Sequence, residues 1–160
     1  MADLQVLHHI DELQLRYIRA LDTRDMGAWT ACFAADTTGY RCISRENHEQ
    51  GLPVAMMLDD NPARILDRAK FVEDVWKGTF EDYATRHFVQ RLACRALGDG
   101  AFEVHSNVLV TYTTQGGGSE VLVAGAYVDE VVARDGRYGF RRKDAILDTV
   151  TPDRYLVYPV

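Results

Sequence analysis

The hydrophobic period changes partway along the chain, and that change limits the folds open to it. Up to about residue 77 apolar residues recur every three to four positions; from Ala84 onward they alternate. The first spacing lines one face of a helix, the second one face of a strand. Leu4, Leu7, Ile10, Leu13, Tyr17, Ile18 and Leu21 make one face of a helix from Leu4 to Asp22. Asp25 to Ala31 reads as a short second helix with Asp25 as N-cap. Trp29 and Phe33, four apart, point into the core. Thr38 to Ser44 reads as a first strand. Arg45 to Asn61 reads as a long polar loop, of a length that often binds something. Pro62 suits the first position of a third helix running to about Lys77, with Ile65, Ala69, Val72 and Trp76 as its apolar face.

In the alternating half, Arg86, Phe88, Gln90, Leu92, Cys94 and Ala96 fall on one side of a strand. Gly98-Asp99-Gly100 is a turn. Phe102, Val104, Ser106, Val108, Val110 and Tyr112 form the inward face of the next strand. Gln115 to Ser119 is a Gly-rich hairpin loop, Glu120 to Ala133 a third strand, Asp135-Gly136 a tight turn, and Arg137 to Val150 a fourth strand. The third of these is apolar on both faces, so both should be covered. Internal cover and oligomerisation both satisfy that. Helices followed by long antiparallel strands give an α+β architecture in one domain, 1–160. Its natural closure is a curved sheet wrapped around the N-terminal helices, a cone with an internal cavity.

Composition excludes several classes. Hydrophobic residues make up 47% and charged residues 26%, with a formal charge of −6, which fits a soluble domain rather than a disordered chain. No apolar run reaches membrane-spanning length, and the acidic balance argues against nucleic acid. Met1 to Val6 has no basic stretch and reads as no signal peptide. Cys32, Cys42 and Cys94 form no CxxC, which suits a reduced, cytoplasmic chain. No cysteine has a histidine one or three positions away, as a Rieske centre would need. His8, His9, His48, His87 and His105 offer no helical ligand pair for non-haem iron. Gly116-Gly117-Gly118 sits in a hairpin and not between a strand and a helix, so it is no dinucleotide loop. No cofactor is expected in this chain.

An ordered set of short motifs spans nearly the whole sequence. It begins with Arg16-Tyr17-Ile18-Arg19-Ala20-Leu21-Asp22, then Trp29, Phe33 and Tyr40. Glu46-Asn47-His48, Gly51-Leu52, Leu66-Asp67-Arg68, Thr85-Arg86-His87-Phe88 and Ser106-Asn107-Val108 follow. Arg142-Lys143-Asp144 precedes a tail ending Tyr158-Pro159-Val160. The set resembles the small (beta) subunits of aromatic-ring-hydroxylating dioxygenases, and the Asn-His…Gly-Leu stretch most resembles those of terephthalate- and salicylate-type oxygenases. The resemblance implies a nuclear transport factor 2-like (cystatin-like) cone and a hetero-hexamer of three large and three small subunits. It implies a large (alpha) subunit that carries a [2Fe–2S] Rieske cluster and a mononuclear Fe(II). NADH electrons would arrive through a reductase, and an aromatic carboxylate would be hydroxylated with dioxygen. The small subunit would be structural.

On that reading Arg45, Asn47, His48, Arg86, His87, Arg91, Arg95 and Tyr158 are the interface candidates. Arg91 and Arg95 are expected to share a strand face with His87. Arginine supplies 15 of the 18 basic residues, and arginine suits interface cores; a GC-rich genome would give the same bias. The rival reading is a self-contained SnoaL-like or ketosteroid-isomerase-like isomerase or dehydratase. It would use Tyr17, Asp22, His87 and Asp144 in the cone. There Asp144 would point inward; a buried Arg–Asp pair is its structural alternative.

Overall fold

The computed structural model describes residues 3–160. Part of the leader reading falls on Met1 and Ala2, which lie outside the described residues. Helix α1 (Leu4–Asp22) is capped by the Asp3 carboxylate, which accepts from Gln5 N. It buries Ile10, Leu13, Tyr17, Ala20 and Leu21, and also Gln14, whereas Leu4 is exposed. Helix α2 (Met26–Thr30) is capped by Asp25 as expected, and Trp29 is fully buried against Phe33 and Tyr40. Strand β1 (Gly39–Ser44) follows.

The expected long loop is not structureless. Ser44 caps a short helix α3 (Arg45–Glu49), and Met57–Asp59 forms strand β2 against β1. Gly39 is required at this edge: its φ is +127°, and a Cβ would lie 2.2 Å from Asp59 O. Helix α4 (Pro62–Phe71) starts at Pro62 behind the Asn61 cap. Arg68 on α4 holds buried Asp59 through two hydrogen bonds of 2.9 and 3.0 Å. The α-helix stops short of Lys77. Val72–Trp76 is a π-turn in which Lys77 N donates to Val72 O. The wider turn rotates Trp76 off the face of Ile65, Ala69 and Val72, so Trp76 is only half-buried.

Four long strands complete the sheet: β3 (Tyr83–Gly98), β4 (Ala101–Thr114), β5 (Ser119–Arg134) and β6 (Arg137–Leu147). The order is β2-β1-β6-β5-β4-β3. All pairings are antiparallel except β1 with β6, which is parallel. The sheet therefore has six strands, with a parallel pair that periodicity did not predict. From Asp148 the chain runs as an irregular tail to Val160.

Bulges within the long strands decide which side chains face inward. An extra residue reverses the alternation beyond it. Leu92 is extra on β3, Leu122 on β5 and Arg141 on β6. Cys94 therefore turns inward opposite Val104, off the face of Arg86, Phe88 and Gln90. Beyond Arg141, Lys143, Ala145 and Leu147 face the core, and Asp144 and Ile146 face out.

The helices fill the inner face of the sheet. On its outer face Phe88, Leu109 and Val121 are exposed at 59%, 37% and 53%, beside half-buried Ala124, Ala126 and Val128. The doubly apolar strand is thus covered on one face only within this chain.

Candidate functional site

The interior of the cone is the place where a ligand of this fold would sit. Tyr17, Trp29, Tyr40, Tyr127 and Phe140 converge there, each at most 1% exposed. The rings of Tyr127 and Phe140 meet Tyr17 edge-on at 6.1 and 5.4 Å. The tail closes the remaining space. Val160 is buried; its carbonyl oxygen accepts from Tyr17 and Tyr40 hydroxyls at 3.1 and 3.2 Å, and its N–H donates to Tyr40 at 3.0 Å. Burial pushes the phenols of Tyr17, Tyr40 and Tyr127 well above their ordinary value, so all three stay neutral; Tyr17 and Tyr40 donate to Val160, and the Tyr127 hydroxyl has no hydrogen-bond partner among the described residues.

At the centre lies a charged pair that periodicity missed. Lys143 Nζ sits 3.0 and 3.2 Å from the Asp129 carboxylate, and both side chains are fully buried. Gln14 bridges them, donating to Asp129 at 2.6 Å and accepting from Lys143 at 3.3 Å. The ammonium also lies 3.7 Å from the Tyr127 ring centroid, 4.3 Å from Phe140 and 4.4 Å from Tyr17. Burial raises the Asp129 pKa and lowers that of Lys143; their mutual attraction opposes both shifts. The sequence carried one faint signal here, that Lys143 is one of only three lysines beside 15 arginines.

A second polar cluster fastens the end of α1 to β3. Asp22 accepts from His87 Nδ1 at 2.6 Å, from His87 N at 3.1 Å and from Thr85 Oγ1 at 2.9 Å. Burial pushes this carboxyl up, but the His87 and Thr85 hydrogen bonds and the charge of His87 together hold it below the ordinary range. An ionised Asp22 requires Nδ1 to carry the proton. That leaves Nε2, which is buried and without a hydrogen-bond partner among the described residues.

An imidazole oriented by a carboxylate is the arrangement of a general base. The four residues of the isomerase reading are nevertheless not gathered at one pocket. Asp22 and His87 are joined, but the Tyr17 hydroxyl is committed to Val160. Asp144 lies on the outer face, held by Arg41 at 2.9 and 3.2 Å. The bulge at Arg141 put it there, where its buried carboxylate pairs with half-buried Arg41 and, at a longer 3.6 Å, with Arg142. An open groove of about 1400 Å³ lies elsewhere, between α1 and the β5–β6 turn, lined among others by Arg16, Phe33, Arg137 and Tyr138.

The interface candidates scatter. Arg86 points outward, and its neighbour His87 inward. Arg91 shares the His87 face and reaches back to Asp11 on α1 at 2.7 and 3.0 Å. Arg95 does not share that face, because the Leu92 bulge turns it outward to Glu103 at 3.0 Å. Arg45 pairs with Asp148, Asn47 donates to Val54 O at 3.0 Å, and exposed His48 meets Arg41 at 3.2 Å. Tyr158 is half-buried beneath the Arg24 guanidinium, 3.6 Å from its ring centroid.

Among the described residues no three His, Cys, Asp or Glu side chains are gathered as a metal site. Burial pushes the Cys32 and Cys42 thiols up to about 11 and about 12, the opposite of what a metal-ligating thiolate needs. No helix among these residues is long and apolar enough to cross a membrane.

Comparison with known proteins agrees with this geometry. A family model described as ring hydroxylating beta subunit matches residues 16–153. The anthranilate 1,2-dioxygenase small subunit of Burkholderia cepacia is 32% identical over 158 residues, covering 99% of this chain and 96% of that protein. A solved beta subunit from Novosphingobium aromaticivorans, assigned to an aromatic-ring-hydroxylating dioxygenase, superposes with a TM-score of 0.80 at 25% identity over 90% of each chain. The beta subunit of benzoate 1,2-dioxygenase from Burkholderia mallei superposes at 0.73 with 17% identity, over 92% of this chain and 91% of that one, and so supports the fold. The fold is the nuclear transport factor 2-like cone, and this chain belongs to the beta-subunit family of aromatic-ring-hydroxylating dioxygenases, which makes it the small subunit of such an enzyme with a large subunit as partner.

Proposed function

We propose that this small subunit is a non-catalytic scaffold that self-associates as a trimer and holds three large subunits in register within a cytoplasmic hetero-hexamer. The large subunits would carry the [2Fe–2S] Rieske cluster and mononuclear Fe(II). Electrons would come from NADH through a reductase, and the substrate would be an aromatic carboxylate. The substrate class follows the anthranilate and benzoate named for its relatives.

The observation that carries the scaffold role is where the apolar surface lies. The cone interior is filled by aromatic rings, an ion pair and the tail, and the outer sheet face around Phe88, Leu109 and Val121 is open. A small-molecule enzyme of this shape would keep a vacant, mostly apolar pocket inside the cone. An apolar sheet face of this kind is characteristic of an interaction surface.

Sedimentation of the isolated chain tests this reading. The wild type is expected at three times its 18.1 kDa mass, and Phe88→Asp with Leu109→Asp is expected to shift it to the monomer. A wild-type monomer, or a mass unmoved by the double substitution, would contradict it.

A further inference from the structure

A second apolar surface lies apart from the outer sheet face, just before β3. The π-turn that swings Trp76 out of the core places it in an aromatic ledge. Trp76 stacks on Phe80 at 4.8 Å between centroids and packs on Phe71 at 5.7 Å, and Phe80 meets Tyr155 of the tail at 5.5 Å. Beside the ledge a recess of about 570 Å³ opens between Phe80 and Tyr155. Phe71, Phe80 and Tyr155 are three of the four phenylalanine and tyrosine side chains left exposed among the described residues; the fourth is Phe88, on the outer sheet face.

The two surfaces carry opposite charge. Around the ledge, residues 73–82 hold Glu73, Asp74, Glu81 and Asp82 against the single Lys77, all exposed, and of these Glu81 is paired, to Arg154 at 3.0 Å. On the outer sheet face Phe88 stands opposite Leu109, and Leu109 opposite Ala124. The row on one side of these three is Arg86, Thr111 and Val121; the row on the other is Gln90, Asn107 and Ala126. Arg86 is the one charged side chain in the three rows, and it is exposed.

A trimer adds a requirement of symmetry. A surface that meets its own copy about a two-fold axis closes as a dimer, whereas a three-fold ring needs two different surfaces, one on each side of every junction. In a trimer the outer sheet face therefore needs a partner surface other than itself. Ledge against ledge would set carboxylate against carboxylate. Ledge against sheet face covers apolar with apolar, matches the acidic rim to Arg86, and gives Phe88 a recess to enter.

We infer that each junction of the trimer joins the Phe71–Trp76–Phe80–Tyr155 ledge of one copy to the outer sheet face of the next, with Phe88 as the inserted side chain. The inference rests on the trimer reading above. The aromatic contact supplies the affinity, and the carboxylates and Arg86 fix the orientation.

The test is sedimentation of the isolated chain and its variants, alone and in pairs. Trp76→Ala with Phe80→Ala is expected to weaken the junction about 30-fold, the size of a central aromatic contact, and to sediment as a monomer. Phe88→Asp with Leu109→Asp breaks the opposite side of the same junction. A concentrated mixture of the two variants is expected to give a one-to-one dimer and nothing larger, because it holds one intact ledge and one intact sheet face that can meet. Glu73→Lys with Asp74→Lys, on exposed positions that do not threaten folding, is expected to weaken the trimer, and adding Arg86→Glu to restore it. Ledge and charge-reversed variants that both stay trimeric, or a mixture that stays monomeric, would overturn the inference while leaving the trimer reading intact. A wild-type chain that sediments as monomer or dimer would overturn the trimer reading, and the junction with it.

Discussion

Lys143 and Asp129 form an ion pair at 3.0 Å with no exposure of either side chain, on adjacent strands at the centre of the cone. Three aromatic faces around the ammonium and the Gln14 amide satisfy what water would otherwise satisfy.

Breaking such a pair on one side leaves an uncompensated buried charge. Lys143→Met is expected to destabilise the chain by about 3–5 kcal/mol, read as a lowered midpoint in urea at unchanged slope. Adding Asp129→Leu removes the stranded carboxylate and is expected to recover most of the loss. A Lys143→Met variant as stable as wild type would show that the pair is not closed to water.

The Asp22–His87 clamp carries a pH signature of definite sign. The Asp22 pKa is lower in the folded than in the unfolded chain, so the unfolded state takes up a proton first as pH falls. Its contribution is therefore fully present above the unfolded value of about 3.9, and is lost as pH falls through the lower, folded value. Urea midpoints from pH 6 downward are expected to drop more steeply for wild type than for Asp22→Asn. Parallel curves would remove Asp22 from the acid response.

The tail is held by two tyrosines of unequal importance. Tyr40 both donates to the Val160 carbonyl and accepts from its N–H; Tyr17 only donates. Tyr40→Phe leaves a buried N–H unpaired and is expected to cost about 1–3 kcal/mol. Tyr17→Phe is expected to cost less, because the carbonyl keeps its Tyr40 donor. Thermal unfolding of the two variants decides the order, and equal losses would contradict it.

The sequence made α1, α2, the start of α4 and the long strands legible because their periods are regular and their caps conventional: Asp25, Asn61 and Pro62 stand where helix starts need them, whereas the five-residue α3 was read as loop. It hid what depends on breaks in period. Single-residue bulges invert faces, and that is why Asp144 was expected inside, Lys143 was overlooked, and Arg95 was grouped with His87. The π-turn hid the exposure of Trp76 in the same way. Strand β2 is three residues long and the β1–β6 pairing joins segments about a hundred residues apart, so neither leaves a local pattern. Asp22 and His87 were both readable as candidates. Their bond depends on how α1 crosses β3, which spacing does not encode.

The central claim is that this chain acts by assembly and performs no chemistry of its own. It is tested most directly by purifying the complex it forms in cells and measuring native mass, subunit ratio, iron and acid-labile sulfide. The account predicts equimolar small and large subunits in a three-plus-three complex, with all iron and sulfide following the large subunit when the two are separated. The chain recovered alone, without a large subunit and with isomerase or dehydratase turnover abolished by Asp22→Asn or His87→Ala, would contradict it.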